Sequence, residues 1–158
     1  MRVHRVEVTD EIRAIDTLAR PDYVAAWDVA DAGADALSAE QWARATFEGA
    51  PRVFRDLIVA GWIGGLGLKL APRSSDDHVL GWSITRSSPD LIILEAKFRF
   101  GTSHNVLRVE KSRVLLATFV RNEKRGGRTV WAVVAPLHQQ ILPRLLGRAV
   151  SHRQHPEP

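Results

Sequence analysis

Hydrophobic residues recur at every second position through most of residues 79–135. This period is typical of strands that bury one face. In the clearest example, one strand face carries Ile92, Leu94, Ala96, Phe98 and Phe100. Residues 72–77 are predicted to form a loop ahead of these runs, and short turns, such as one at residues 101–103, separate the runs, whereas parallel strands would need longer crossovers. We therefore predict an antiparallel sheet over this part of the chain.

One strand and two helices are predicted ahead of this sheet. Residues 22–30 alternate with a period of two, which indicates the first strand. Ser38 is followed three residues later by Gln41, the pattern of a capping box at a helix start. Pro51 suits the first position of a second helix, which runs into the glycine-rich residues 61–67. These glycines lack the strand-turn-helix context of a dinucleotide-binding motif.

A long helix over residues 136–150 is predicted to complete the fold. It follows a last strand over residues 129–135, and Pro136 opens it. Pro143 has no backbone N–H to donate to Gln139, so we expect a bend or break between these two residues. Side chains three and four residues apart form one apolar face of this helix. That face comprises Leu137, Ile141, Leu142, Leu145, Ala149 and Val150.

The predicted order of elements defines an α+β fold. We expect a curved antiparallel sheet wrapped around a long C-terminal helix, with two short helices after the first strand. Residues 1–21 are predicted to form an N-terminal extension or edge segment, whose pattern fits a short strand and one helical turn. Residues 22–150 are predicted to be the single domain, and residues 151–158 a disordered tail.

The composition is that of one globular domain, because 158 residues with 45% hydrophobic content can bury a single core. The chain has no cysteine, which excludes disulfides, thiolate chemistry and cysteine-based metal sites. The histidines share no metal-ligand spacing, so neither a metal nor another cofactor is expected.

The N-terminal residues lack the apolar run of a signal peptide, and the longest apolar stretch, residues 57–70, is shorter than the roughly 20 residues of a membrane span. We therefore expect a cytoplasmic protein without a transmembrane segment.

The chain is basic, with a formal net charge of +4 and a sequence pI of about 10.1. A basic balance permits contact with nucleic acids or anionic membranes. The arginines are scattered, however, and their densest cluster, residues 121–128, is predicted to be a solvated hairpin loop. A nucleic-acid partner is therefore disfavoured, and the oligomeric state stays open.

Several short motifs follow one another in a recognisable order. They are FRDL at 54–57, GLGL at 65–68, GW at 81–82, LEA at 94–96, TFVR at 118–121, VW at 130–131, and PLH at 136–138 followed by Pro143. The order of elements over residues 22–150 resembles the START-like helix-grip (SRPBCC) superfamily, which includes the birch pollen allergen, START lipid-transfer domains and bacterial polyketide cyclase/dehydrase proteins. The motifs look like a bacterial family within it, a domain of unknown function. The resemblance implies a cavity between the sheet and the terminal helix that accepts something apolar.

Eight residues are the candidate ligand-binding walls of such a cavity. Aromatic rings supply apolar contact, and tryptophan adds a polar N–H, although ordinary cores use the same residues. We expect a binding module for a hydrophobic small molecule, either lipid-like or polyketide-like. The candidate residues are Trp62, Trp82, Leu94, Phe98, Trp131, His138, Ile141 and Leu145.

Two other functions are compatible with the sequence. In a cyclase- or dehydratase-type enzyme, His138 would be the catalytic candidate, assisted by Arg86 or Glu95. The ordinary interpretations are a histidine that packs in the core, and a Glu95 that forms a solvated cross-strand ion pair on the outer sheet face. In a protein-interaction domain the core would be filled, and the loop at residues 121–128 would form the contact surface.

Overall fold

The computed structural model describes residues 2–71 and 74–154, which form one eight-stranded antiparallel sheet and four α-helices. The strands are β1 (His4–Val6), β2 (Tyr23–Ala30), β3 (Ser74–Ser75), β4 (His78–Val79), β5 (Trp82–Ser87), β6 (Leu91–Phe98), β7 (Gly101–Glu110) and β8 (Arg113–Asn122). The helices are α1 (Asp10–Ala14), α2 (Ala39–Phe47), α3 (Arg52–Gly61) and α4 (Gly127–Gln154). A 3₁₀ turn at Ala34–Ala36 precedes α2, and a π-helical turn at Trp62–Leu66 continues α3.

The sheet is open, with strand order β1-β2-β8-β7-β6-β5-β4-β3. Strands β3 to β7 each pair with the next strand along the chain, as β1 does with β2, whereas β2 also pairs with the much later β8. Helices α2 and α4 contact each other, and both contact the sheet. The predicted α+β class, antiparallel sheet and long C-terminal helix are confirmed, as are two short helices after the strand at Tyr23–Ala30.

The central strands of the sheet bury side chains on both faces, because the N-terminal segment covers part of the outer one. The inner face of β6 joins the main core through Ile92, Leu94, Ala96 and Phe98. Its outward residues Leu91 and Ile93 pack instead in a second cluster. That cluster is closed by side chains of the N-terminal segment, namely Val6, Val8, Ile12, Ile15 and Leu18. Within residues 2–21, the structure places the edge strand β1 and the short helix α1.

Two predicted helix starts agree with the structure. The Ser38 hydroxyl accepts from the Gln41 backbone N–H at 3.2 Å, and the Gln41 side chain accepts from the Ser38 N–H at 2.8 Å. Pro51 is the residue before the first turn of α3. Both signals are local, since they depend on residues within one helical turn.

The predicted last strand over residues 129–135 is wrong, because α4 begins at Gly127. Trp131 is buried while Val133 is 77% exposed, although a strand would place both on the same face. The loop predicted at residues 121–128 is correspondingly the end of β8, a turn and the first residues of α4. The helix continues through Pro136 and Pro143, so the predicted break is absent and a bend remains a prediction.

Three other boundaries differ from the predictions. The turn predicted at residues 101–103 is the start of β7, because Gly101 lets β7 approach the Arg121 carbonyl more closely than a Cβ would allow. Part of the predicted loop at residues 72–77 forms the two-residue strand β3, and residues 72–73 lie outside the described chain. The first residues of the predicted tail are helical up to Gln154, while residues 155–158 are not described.

Candidate functional site

A cavity of about 590 Å³, partly open to solvent, lies between the inner sheet face and two helical segments. The first helical segment, formed by α3 and its π-helical turn, contributes Phe54, Leu57, Ile58, Trp62 and Leu66. The strands contribute Trp82, Phe98, Ser103 and Asn105. Helix α4 contributes Trp131, Val134, Leu137, His138, Ile141, Leu142 and Arg144.

The structure brings six of the eight predicted wall residues to this cavity. They are Trp62, Trp82, Phe98, Trp131, His138 and Ile141. Leu94 and Leu145 are buried in the main core and do not line it. Sequence spacing placed Leu94 on the correct strand face, but the depth of the cavity along that strand depends on how the helices pack across it.

The α4 wall is a single helical stripe. Trp131, Val134, His138 and Ile141 are separated by three, four and three residues, which places them on one side of the helix. This stripe depends on α4 beginning at Gly127, because a strand would have separated Trp131 from His138. The helix start that the sequence pattern missed therefore determines the geometry of the site.

His138 lies among aromatic rings within the cavity wall. Its ring centroid is 6.1 Å from that of Tyr23, 5.8 Å from that of Trp27 and 5.4 Å from that of Trp131. Burial lowers the pKa of His138 to about 4, so the imidazole is neutral at pH 7. The buried Nδ1 atom has no hydrogen-bond partner among the described residues.

Two tryptophans of the cavity wall also carry unpartnered polar atoms. The Nε1 atoms of Trp82 and Trp131 are buried, and no described residue accepts a hydrogen bond from either. By contrast, the Nε1 of the core residue Trp42 donates to the Ala34 carbonyl oxygen at 2.8 Å. Buried N–H groups in folded proteins are nearly always paired, so these two exceptions need an explanation.

Polar groups at the floor of the cavity are partly satisfied within the protein. Ser103 and Asn105 of β7 line it, and the Thr118 hydroxyl donates to Asn105 Oδ1 at 2.6 Å. Near His138, the Gln139 side chain donates to the Tyr23 hydroxyl at 3.1 Å. Burial raises the pKa of Tyr23 above its ordinary value, so this phenol stays protonated near neutral pH.

The rim of the cavity is unusually apolar for a surface. Leu57 on α3 and Leu137 on α4 both line the cavity, yet they are 68% and 60% exposed. The same helical segments expose further large hydrophobic residues, namely Val53, Ile63 and Val133. Arg144 also lines the cavity, and its guanidinium donates to the Gln140 carbonyl oxygen at 3.2 Å.

Glu95 faces the opposite side of the sheet, as predicted, but its partner there is a histidine. His104 Nε2 lies 3.0 Å from Glu95 Oε2, and His104 Nδ1 lies 2.7 Å from Asp16 Oδ1. Burial alone would lower the pKa of His104, but the two carboxylates outweigh it and raise the pKa above its ordinary value. The sequence gives no signal for Asp16, because the segment carrying it is brought to β7 only by the fold.

This outer cluster borders a second, polar pocket of about 360 Å³ that is separate from the aromatic cavity. Lys97, His104 and Arg121 are among the residues that line it. Arg86, the other residue considered with His138, is exposed on β5 and does not line the aromatic cavity. The three side chains considered for joint catalysis are therefore not brought together.

Within residues 2–71 and 74–154, no group of three or more His, Asp or Glu side chains is arranged to hold a metal ion. None of the helices in this described part is both long enough and apolar enough to cross a membrane. Comparison with protein-family models, curated proteins and solved structures gives no match to the chain. The cavity and its polar atoms are therefore the features from which a function can be argued.

Proposed function

We propose that the protein binds a hydrophobic small molecule, lipid-like or polyketide-like, in the cavity between the sheet and α4. The observation that carries the proposal is the cavity itself, with a volume of about 590 Å³ and walls of aromatic and aliphatic side chains. Small-molecule sites are typically pockets of roughly 300–1,000 Å³ with mostly apolar walls and a few polar groups. The arrangement of a sheet against a long C-terminal helix supports a helix-grip fold within the same proposal.

The exposed leucines at the rim support the same function. Leu57 and Leu137 come from different helices, and each borders the cavity while remaining mostly in solvent. An apolar ligand entering between α3 and α4 would contact these side chains and remove them from water, which favours binding. The rim therefore supplies an apolar entrance to an apolar interior.

Binding accounts for the cavity better than either alternative function. A protein-interaction domain with a filled core would not be expected to leave a cavity of this volume between its sheet and helices, because protein interiors are close-packed. A proton-transfer enzyme needs an acid or base at the bound substrate, and the pKa of about 4 makes His138 a weak base at neutral pH. Glu95, the carboxylate considered with it, lies on the other face of the sheet.

The proposal is tested by titrating the protein with the apolar dye Nile red and by native mass spectrometry of protein purified from its own host. We expect saturable dye binding and a retained apolar molecule. The variant Ile141→Trp enlarges a half-buried wall residue and should abolish dye binding. Val133→Trp adds the same indole on the exposed side of α4 and should bind like the wild type.

Circular dichroism of both variants establishes that they are folded before binding is compared. Absence of dye uptake and of any retained molecule in the wild-type protein would refute the proposed function. Unchanged dye binding by a folded Ile141→Trp variant would show that the dye binds elsewhere, which would also refute it.

A further inference from the structure

Two polar side chains interrupt the apolar inner face of the sheet where β7 borders the cavity. Ser103 and Asn105 line the cavity and are only 4% and 2% exposed. The buried neighbours on this face are mainly aliphatic and aromatic. A hydroxyl and an amide in such surroundings need hydrogen-bond partners, because the burial of an unpaired polar group is costly.

The register of the sheet fixes the direction of both side chains. Directly opposite residues of antiparallel strands point to the same face, and successive residues of one strand point to opposite faces. Ser103 lies opposite Ala96 of β6, a residue of the main core. Asn105 likewise lies opposite Leu94 of that core. His104, between the two, points to the outer face and contacts the N-terminal segment, so Ser103 and Asn105 point inward.

Two polar atoms on this inner face are free to bond a ligand. Asn105 Oδ1 accepts from the Thr118 hydroxyl at 2.6 Å, which leaves the Nδ2 amino group. In the part of the chain that the structure describes, neither Asn105 Nδ2 nor Ser103 Oγ has a hydrogen-bond partner. Both atoms keep accessible surface, unlike the sealed Nε1 atoms of Trp82 and Trp131. Because their side chains line the cavity, this surface is open to whatever occupies it.

The chemistry of the two atoms specifies their partner. The amino group of asparagine donates, and a serine hydroxyl both donates and accepts. Residues two positions apart on a strand have Cα atoms about 6–7 Å apart, so one small head group can reach both side chains. An oxygen atom accepts from both of them, and a ligand hydroxyl can in addition donate to Ser103 Oγ. The pair therefore suits a hydroxyl or carbonyl group.

The charges around the cavity favour an uncharged head group. Among the described residues that line it, Arg144 is the one side chain with a permanent charge, and it is exposed on α4. Its guanidinium already donates to the Gln140 carbonyl oxygen. A carboxylate beside Ser103 and Asn105 would be buried without a cationic partner, which is unfavourable.

We propose that the cavity binds an uncharged amphiphile head-first, with a hydroxyl or carbonyl oxygen held by Ser103 Oγ and Asn105 Nδ2. The apolar body then lies along the aromatic walls and ends near the exposed rim residues Leu57 and Leu137. This inference rests on the proposed binding function and specifies the class and the orientation of its ligand. It distinguishes that ligand from plain hydrocarbons, which leave both polar atoms unpaired, and from fatty-acid anions.

Three compounds that share one aromatic ring system test the selection. Naphthalene has no polar group, 2-naphthol has one neutral hydroxyl at pH 7, and 2-naphthoate is an anion. We expect calorimetric titration to show 2-naphthol binding about threefold to tenfold more tightly than naphthalene, the gain from a buried neutral hydrogen bond. 2-Naphthoate should bind more weakly than either.

Ser103→Ala assigns the preference to the hydroxyl on β7. It removes one oxygen atom that has no partner in the described chain, so the fold should be preserved. Its affinity for 2-naphthol should fall about threefold to tenfold, while its affinity for naphthalene should not fall. Ser83→Ala is the matched control, because Ser83 is exposed on β5 and does not line the cavity. The control should bind both compounds like the wild type.

A second variant, Asn105→Leu/Thr118→Val, tests the amide. It replaces both members of a buried hydrogen bond by apolar groups of similar shape, which leaves no polar atom unpaired. It should lose affinity for 2-naphthol as Ser103→Ala does and keep its affinity for naphthalene. Circular dichroism establishes that each variant is folded, and the Ser103→Ala comparison decides the matter if this double variant is not.

The outcomes separate this inference from the function on which it depends. If Nile red and all three compounds fail to bind to the wild-type protein, both proposals are refuted. If Nile red binds but 2-naphthol does not bind more tightly than naphthalene and 2-naphthoate, the head-group selection is refuted while the binding function stands. Unchanged 2-naphthol binding by the folded Ser103→Ala variant would place the head group elsewhere and would also refute the inference.

Discussion

Glu95 on β6 and His104 on β7 lie directly opposite each other in the sheet, with 3.0 Å between Glu95 Oε2 and His104 Nε2. The other ring nitrogen of His104 contacts Asp16, which follows α1 in the N-terminal segment. The His104 ring and the Asp16 carboxylate are almost completely buried. A single imidazole thus connects two strands of the sheet with the segment that covers its outer face.

This arrangement predicts that the protein loses stability as the pH rises above neutrality. The folded-state pKa of His104 is raised, so its contribution is complete below the unfolded pKa of about 6.5 and is lost as the pH rises through the folded pKa. Urea unfolding between about pH 6 and pH 9 should show this decline. His104→Gln should reduce this decline in the free energy of unfolding, whereas His152→Gln, at an exposed position of α4, should leave the decline unchanged. Equal slopes in the wild type and His104→Gln would contradict the prediction.

His138 predicts the opposite pH dependence on the acidic side. Its folded-state pKa of about 4 lies below the unfolded value, so the unfolded chain takes up the proton first as the pH falls. The free energy of unfolding should drop by up to about 3 kcal/mol between pH 6.5 and pH 4 through this residue alone. Since carboxylates titrate in the same range, the measurement is the difference in the free energy of unfolding between the wild type and His138→Phe at each pH. The prediction fails if this difference does not change with pH.

Gly101 is predicted to be intolerant of any side chain. A Cβ there would collide with the Arg121 backbone carbonyl, at the pairing of β7 with β8. Gly101→Ala should therefore lower the free energy of unfolding by about 1–3 kcal/mol, the usual range for forced overpacking. Gly64→Ala is the control, because a Cβ at Gly64 meets open space and alanine favours helical backbone. That control should raise stability by about 0.5–1 kcal/mol in the same denaturation experiment.

The end of α4 is predicted to be anchored through Asp31. Arg153 Nε donates to the buried Asp31 carboxylate at 2.7 Å, and Gln154 Nε2 donates to its other oxygen at 3.0 Å. Arg153→Ala would remove the cation that pairs with this buried carboxylate and should lower the free energy of unfolding by about 1–3 kcal/mol. Arg148→Ala, on an exposed position of the same helix, should change stability little. Similar losses in the two variants would argue against the anchor.

The sequence predicts those parts of the fold that local patterns control. The alternation over β6 identified its inner face correctly, and the spacing of Ser38 and Gln41 identified a helix start. The helical start of α4 was missed because Thr129, Val130 and Val133 are β-branched and mimic a strand. Its helical form there depends on packing against the sheet, which a local pattern does not contain.

The candidate site, too, could be predicted from the sequence only in part. The aromatic residues of the cavity wall could be selected from their strand and helix faces, whereas the unpartnered state of Trp82 and Trp131 could not. That property depends on which acceptors the folded chain brings near each indole. The contact of His104 with Asp16 was equally hidden, because 88 positions of sequence separate the two residues.

The pairing of β2 with β8 has a consequence for how the chain folds. β2 is the first long strand of the sheet, and its partner β8 is the last, so their hydrogen bonds close a loop containing most of the chain. Contacts of such long range slow folding, because the entropy of loop closure is lost before they form. α4, which supplies one wall of the cavity, is made later still. During synthesis, Trp62 and Trp82 therefore leave the ribosome before the helix that forms the opposite wall of the cavity.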